Sequence, residues 1–255
     1  MASAMDGPTR LTSERSSQKR GALVAFAVAA DFAWIAVHVR ALAAIGLIDG
    51  DPFFYLAYQI GRYAVAGTAL AVALRSGLFG RRELGLIATR HAAALCWLAR
   101  IVGIVALAGV VLAGVVFLVA PSGVCTLARH SLAVPIVYPW GSFVRDLLCM
   151  VVVAPLYEEV MYRALLLSAL RDRLREQTAL LVGGAVFVVL HYAYGYGWHA
   201  GYMAMGLVFG LIFLRTRSIV PALALHMANN LWVVLNWHAR VTLGDATILG
   251  WLCST

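Results

Sequence analysis

Charge is what this sequence has least of. Asp, Glu, Lys and Arg make up 13% of its residues, about half the share usual in soluble domains. Acidic residues are the scarcer sign, with 12 Asp+Glu against 20 Lys+Arg and a formal net charge of +8. Apart from Lys19, every basic residue is arginine. Such a chain cannot cover itself with a polar surface. Its hydrophobic share is 62% and its mean hydropathy +0.85, which suits a protein whose exterior meets lipid. The basic excess is scattered between apolar blocks and forms no stripe of the kind that binds nucleic acid. The four cysteines, Cys96, Cys125, Cys149 and Cys253, are widely spaced and form no CxxC. Their spacing points to no disulfide, and Cys96 and Cys149 read as small apolar packing residues within spans. HExxH is missing, and no internal repeat is evident.

What the sequence has is long apolar runs. They fall at about 21–39, 53–74, 92–120, 143–169, 177–196, 200–214 and 219–237, each near the roughly 20 residues that a helical span needs. Barrel strands would be short and alternating, whereas these runs are continuous. The expected fold is therefore an all-α polytopic transmembrane bundle of seven spans. The short apolar piece at 241–253, which contains Asp245, would make an eighth or a re-entrant segment. Residues 1–20, polar and rich in Ser and basic residues, read as a disordered basic cytosolic tail, and 21–255 as one transmembrane domain. The Lys19-Arg20 pair before Gly21–Ala30 has a signal-peptide flavour, but the apolar run continues to Ile48, too long for an h-region.

The basic residues set an orientation. With the N-terminus inside, the inner loops hold Arg10, Arg15, Lys19, Arg20, Arg75, Arg81, Arg82, Arg90, Arg171, Arg173, Arg175, Arg215 and Arg217. The outer loops hold Arg40, Arg129, Arg145 and Arg240. The excess of positive charge inside follows the rule for membrane proteins. It places the N-terminus in the cytoplasm and, for seven spans, the C-terminus outside. Arg75–Arg90, with Leu84, Leu86 and Ile87, reads as an interfacial turn of helix. Tyr192, Tyr194, Tyr196 and Trp198, with Trp232 and Trp237, read as an aromatic belt at the outer surface.

Ionisable groups inside spans cost roughly 2.5 to 3.5 kcal/mol each on insertion scales, so each needs a reason. Asp31 and Arg62 are read as a structural pair between the first two spans. Gly206 and Gly210 form a GxxxG suited to close helix packing. The richest collection lies in spans four to seven. Glu158 is thirteen residues from both Arg145 and Arg171, roughly 20 Å from either end of its helix. Glu159 and Arg163 are spaced i,i+4 in the favourable order, which gives them a structural role. Glu158 has no basic residue at i±3 or i±4 and is expected to be a lone carboxyl in a low dielectric. Such a group has a raised pKa, as a base or acid working near neutrality requires. His191 lies on the next span. His226 and Asn230, at i,i+4, share a face of the seventh. A single histidine in a span is most often an interhelical hydrogen-bond partner. One carboxyl, two imidazoles and an amide on three helices instead suggest a water-activating cluster with an oxyanion donor.

Three motifs in order carry a family resemblance. Glu158-Glu159-x-x-x-Arg163 resembles EExxxR, Phe187-x-x-x-His191 resembles FxxxH, and His226-x-x-x-Asn230 resembles HxxxN. Together, with Pro155 before the acidic pair, they resemble the CPBP family of intramembrane proteases. That family includes CAAX prenyl endopeptidases of the Rce type and bacterial Abi-like, bacteriocin-processing and immunity proteins. The resemblance covers a core at about 143–237. It departs from the family at Ala164, where Gly usually follows the Arg, and in the weak eighth span.

The resemblance implies an intramembrane endopeptidase acting on a membrane-associated protein or peptide, by CAAX-like, leader or C-terminal sorting-tag processing. Glu158 would activate water with help from His191, and His226 and Asn230 would hold the oxyanion. Glu159 and Arg163 would shape the fourth span. Glu158, His191 and His226 could instead hold zinc. The glutamate mechanism without a cofactor is favoured, because HExxH is missing and Asn230 is a poor zinc ligand. The Ala-, Gly- and Arg-rich composition suggests a bacterial inner membrane. The alternative is a non-proteolytic membrane protein: a bacteriocin immunity or scaffold protein, or a proton-coupled transporter, which would also bury Glu, His and Arg.

Overall fold

The computed structural model describes residues 7–44, 52–87, 140–193 and 199–243, together with positions 96, 99, 100, 103, 107, 111, 115 and 118. The rest of the third expected span, Cys125, residues 194–198 of the aromatic cluster and the piece beyond Leu243 lie outside the described residues. Every regular element among the described residues is helical, as long uninterrupted apolar runs require when no water is present to satisfy the backbone. The elements are α1 (Gly7–Ala44), α2 (Pro52–Arg75), a run of five adjoining segments from Trp140 to Arg171, α6 (Glu176–Ala193), α7 (His199–Thr216) and α8 (Ile219–Leu243). The five segments are α3 (Trp140–Asp146), π1 (Leu147–Val153), α4 (Ala154–Glu158), π2 (Glu159–Leu167) and α5 (Ser168–Arg171).

By length and composition, Glu14–His38 is the one described helix able to cross a bilayer, with 25 residues at mean hydropathy 1.7. Glu176–Tyr192, Ala200–Thr216 and Ile219–Leu235 are apolar but shorter. Large apolar side chains face outward. Phe26 is 74% exposed, and Ile60, Leu181, Val189 and Val220 are exposed too. Cys96, Ala99, Gly103, Leu107, Val111, Val115 and Leu118 are likewise helical and exposed at three- to four-residue spacing. Such a surface suits lipid and not water. Cys96 is thus outward-facing, contrary to the expected packing role, while Cys149 is half-buried, and both are free thiols.

The chain divides into two compact units, residues 1–94 with 154–224 and residues 95–153 with 225–255. In the first, α1 packs on α2, α6 packs on α7, and π2 touches all four. Gly61 allows the first contact. The Trp34 ring of α1 lies where a Cβ at Gly61 would stand, 2.2 Å from its nearest atom, and Trp34 Nε1 donates to the Tyr58 carbonyl at 3.1 Å. The GxxxG glycines act as expected in the second contact: a Cβ on Gly206 would come 3.1 Å from Gly184 Cα, and one on Gly210 2.5 Å from Leu180 Cδ1.

Two expectations are corrected in this unit. Residues 7–20 are helical, not irregular. Their end is held in place, with Arg20 bonded to Glu83 and to Asp172 at 3.2 Å, and Arg173 Nη2 bonded to the Ser17 carbonyl at 3.1 Å. The stretch after α2 is a folded turn, not an interfacial helix. Phe79 and Leu84 are buried in the core, and the Gly85 carbonyl accepts from the Ile219 N–H at 3.1 Å. Leu84 finds more apolar contact beneath the helices than at a membrane surface.

In the second unit the described residues are those eight positions between 96 and 118, α3, π1 and the later part of α8. Val151 and Val234 are buried there. Trp232 is 69% exposed, as an interfacial aromatic would be, and so is Tyr192 of the first unit.

Candidate active site

The helix that carries the acidic pair is not a regular α-helix. Pro155 has no N–H, and its ring crowds the preceding turn. The π register of Leu147–Val153 lies directly before it. A second π stretch opens at Glu159. Runs of this kind are rare and concentrate at functional sites. Glu158, the last residue of α4, therefore sits at the junction of two registers.

In the first unit Glu158 is not the lone carboxyl that its own helix suggests. Arg62 of α2 brings Nη1 to 3.8 Å from Glu158 Oε1. This partner comes from another helix and so lies outside the i±3 and i±4 positions of Glu158's own. The expected Asp31–Arg62 pair is present and fully buried: Arg62 Nε donates to Asp31 Oδ1 at 3.1 Å and Nη2 to Oδ2 at 3.5 Å. Tyr162 OH donates to Asp31 Oδ2 at 3.0 Å. The guanidinium carbon lies 3.9 Å from the centre of the Tyr157 ring, a close cation–π contact. Two apolar helices thus deliver an oriented positive charge to Glu158.

Glu159 and Arg163 pair as the sequence predicts, Nη1 to Oε1 at 3.3 Å, and both are buried. The Arg163 guanidinium lies over Phe187 at 4.5 Å and Phe209 at 5.3 Å. This pair ties π2 to α6 and α7 and is explained by packing.

His191 is buried on α6. Its Nδ1 lies 2.8 Å from the Phe187 carbonyl oxygen. A carbonyl can only accept, so Nδ1 carries the proton and the neutral ring has its lone pair on Nε2. The Phe of FxxxH therefore has two parts to play: its carbonyl fixes the tautomer, and its ring packs on the imidazole, centroids 4.4 Å apart. On the other side the Tyr202 ring stacks on His191 at 4.0 Å and 23°. Tyr202 lies close enough to Glu158 to feel its charge. Sequence reading missed Tyr202, Tyr157 and Tyr162. No motif contains Tyr202, and the other two lie within the acidic motif's helix as ordinary apolar-run residues.

His226 and Asn230 belong to the second unit. His226 is buried and Asn230 half-buried, one turn apart on α8. Asn230 Nδ2 donates to the Met150 carbonyl at 2.8 Å, and its Oδ1 accepts from Asn229 Nδ2 at 3.2 Å. In the π register the Met150 carbonyl would be served by the N–H of residue 155, and residue 155 is a proline. Asn230 supplies the missing donor. One of its two N–H groups thus has a structural duty that sequence reading did not assign.

Among the described residues no three His, Cys, Asp or Glu side chains are grouped to hold a metal ion. The zinc alternative also meets an electrostatic obstacle. A guanidinium 3.8 Å from Glu158 would repel a dication bound to that carboxylate.

Residues 139–232 match the family model described as type II CAAX prenyl endopeptidase Rce1-like. This match supports a CPBP family protease. The matched segment contains Glu158, Glu159, Arg163, His191, His226 and Asn230, and it leaves out α1 and α2. No curated protein and no solved structure matches the chain. The matched domain supports a membrane-embedded hydrolase and, in general terms, a CAAX-type intramembrane endopeptidase.

Proposed function

We propose that this CPBP protease hydrolyses its substrate with water activated by Glu158, without a metal. The observation that carries the reading is Glu158 itself: a buried carboxylate within the matched domain, facing a fixed guanidinium. As the water oxygen bonds to the scissile carbonyl carbon, Glu158 takes its proton. His191, with its lone pair on Nε2, assists that transfer. The carbonyl electron pair moves onto oxygen, where N–H donors stabilise it. Collapse of the intermediate expels the amine, which takes the proton held by Glu158. The products are a carboxylic acid and an amine.

The substrate on this reading is a membrane-associated protein or peptide: a CAAX-like C-terminus, a leader or a C-terminal sorting tag. The seven-span bundle with a cytoplasmic N-terminus in a bacterial inner membrane belongs to the same proposal and rests on the placement of arginines. Epitope accessibility at both termini in sealed vesicles checks it.

The functional reading is tested with the full chain in proteoliposomes and a panel of internally quenched peptides, prenylated and unprenylated. Wild type is expected to cleave at least one class, and Glu158→Ala none. Equal cleavage by Glu158→Ala would overturn the assignment.

A further inference from the structure

Arg62 makes two hydrogen bonds and one longer ion pair. Nε and Nη2 grip the two oxygens of Asp31, and Nη1 is left pointing at Glu158. The fork geometry of a guanidinium means that fixing two nitrogens fixes the third. Asp31 is itself held by Tyr162, which lies four residues after Glu158 on the same run of helix. Tyr157, the residue just before Glu158, lies under the guanidinium face. The loop of contacts therefore runs from the Glu158 helix to Asp31, through Arg62, and back to Glu158. Gly61, beside Arg62, is the point where Trp34 presses α1 against α2, and this close approach holds Asp31 opposite Arg62.

We propose that Arg62, fixed by Asp31, is a positioning residue for Glu158. It holds the carboxylate in one orientation, so that the water-activating oxygen is presented in a single place. The first two helices, outside the family match, thereby complete the protease site. A purely structural Asp31–Arg62 pair would need only each other. The third nitrogen, directed at the proposed base, is what marks the further role. The inference rests on Glu158 being the base.

The test uses the full chain in proteoliposomes and four variants: Glu158→Gln, Arg62→Lys, Arg62→Gln and the double Asp31→Asn/Arg62→Gln. Arg62→Gln alone leaves Asp31 buried without its cation and is expected to fold poorly. The double variant removes both charges and keeps the fold. Its kcat is expected to fall about 100-fold with KM unchanged, the scale of a misplaced reacting group. Arg62→Lys keeps the charge without the fork and is expected to recover about tenfold of that loss. A second readout needs no substrate. The infrared carboxyl band lost in Glu158→Gln identifies Glu158, and that band is expected to move in the double variant and to return part-way in Arg62→Lys. A folded double variant with wild-type kcat and an unmoved band, beside an inactive Glu158→Gln, would overturn the positioning role alone. An active Glu158→Gln would instead remove the reading on which it rests.

Discussion

Asn230 braces the π stretch Leu147–Val153 through Met150. Its side-chain N–H occupies the Met150 carbonyl at 2.8 Å, the position left without a donor in the π register. An amide assigned to catalysis by motif is thus also a structural strut. Asn230→Ala is expected to lower stability by about 1 kcal/mol, the cost of a part-buried carbonyl left unsatisfied, as well as lowering activity. Pro155→Ala restores an N–H at residue 155. Thermal unfolding in detergent should show the double variant Pro155→Ala/Asn230→Ala losing less than the sum of the single changes.

The two adjacent glutamates should separate cleanly. Glu159→Gln leaves the Arg163 guanidinium buried without its counter-charge, so it is expected to destabilise by about 3–5 kcal/mol. Glu158→Gln keeps the Asp31–Arg62 pair and is expected to fold while losing activity. Melting curves and peptidase assays on the two variants side by side check this. A stable, active Glu159→Gln would show that packing does not depend on that pair.

His191 is expected to act through Nε2. His191→Gln should lower kcat by about 10²–10⁴-fold, the usual worth of a positioned acid–base group. Phe187→Leu keeps the backbone carbonyl that sets the tautomer and loses the ring's contacts with His191, Tyr162 and Arg163, so a drop of about tenfold or less is expected from it. Single-turnover rates on the two variants separate tautomer control from ring packing.

The α6–α7 contact should tolerate little growth. Gly206 has the Gly184 backbone 3.1 Å from its Cβ position, and backbone cannot swing away as a side chain can. Gly206→Leu is expected to cost about 1–3 kcal/mol by overpacking. Gly67, which has open space around its Cβ position, should accept alanine without loss. Chemical denaturation of both variants decides.

Much of this protein is legible in its sequence, for reasons that differ by residue. The helices follow from continuous apolar runs. The Asp31–Arg62 pair is legible because each charge is too costly in lipid to stand without the other. Glu159–Arg163 follows from i,i+4 spacing, and the Gly206 contact from GxxxG. The Arg62 approach to Glu158 is not legible, because it depends on the register between two helices far apart in sequence. The same holds for Leu84, whose burial is set by what lies above the turn. Asn230 illustrates a third limit: the motif names its chemistry, but only the π register reveals the carbonyl that it must also satisfy.

The central claim is that Glu158 activates water without a metal, and chelation tests it most directly. Wild type and Glu158→Gln, purified in full length and reconstituted, are assayed on the same cleaved peptide before and after exhaustive treatment with a zinc chelator. The account predicts unchanged wild-type cleavage after chelation and a loss of at least about 10²-fold in Glu158→Gln, in line with removal of a general base. Loss of wild-type cleavage on chelation, restored by added zinc, would contradict it.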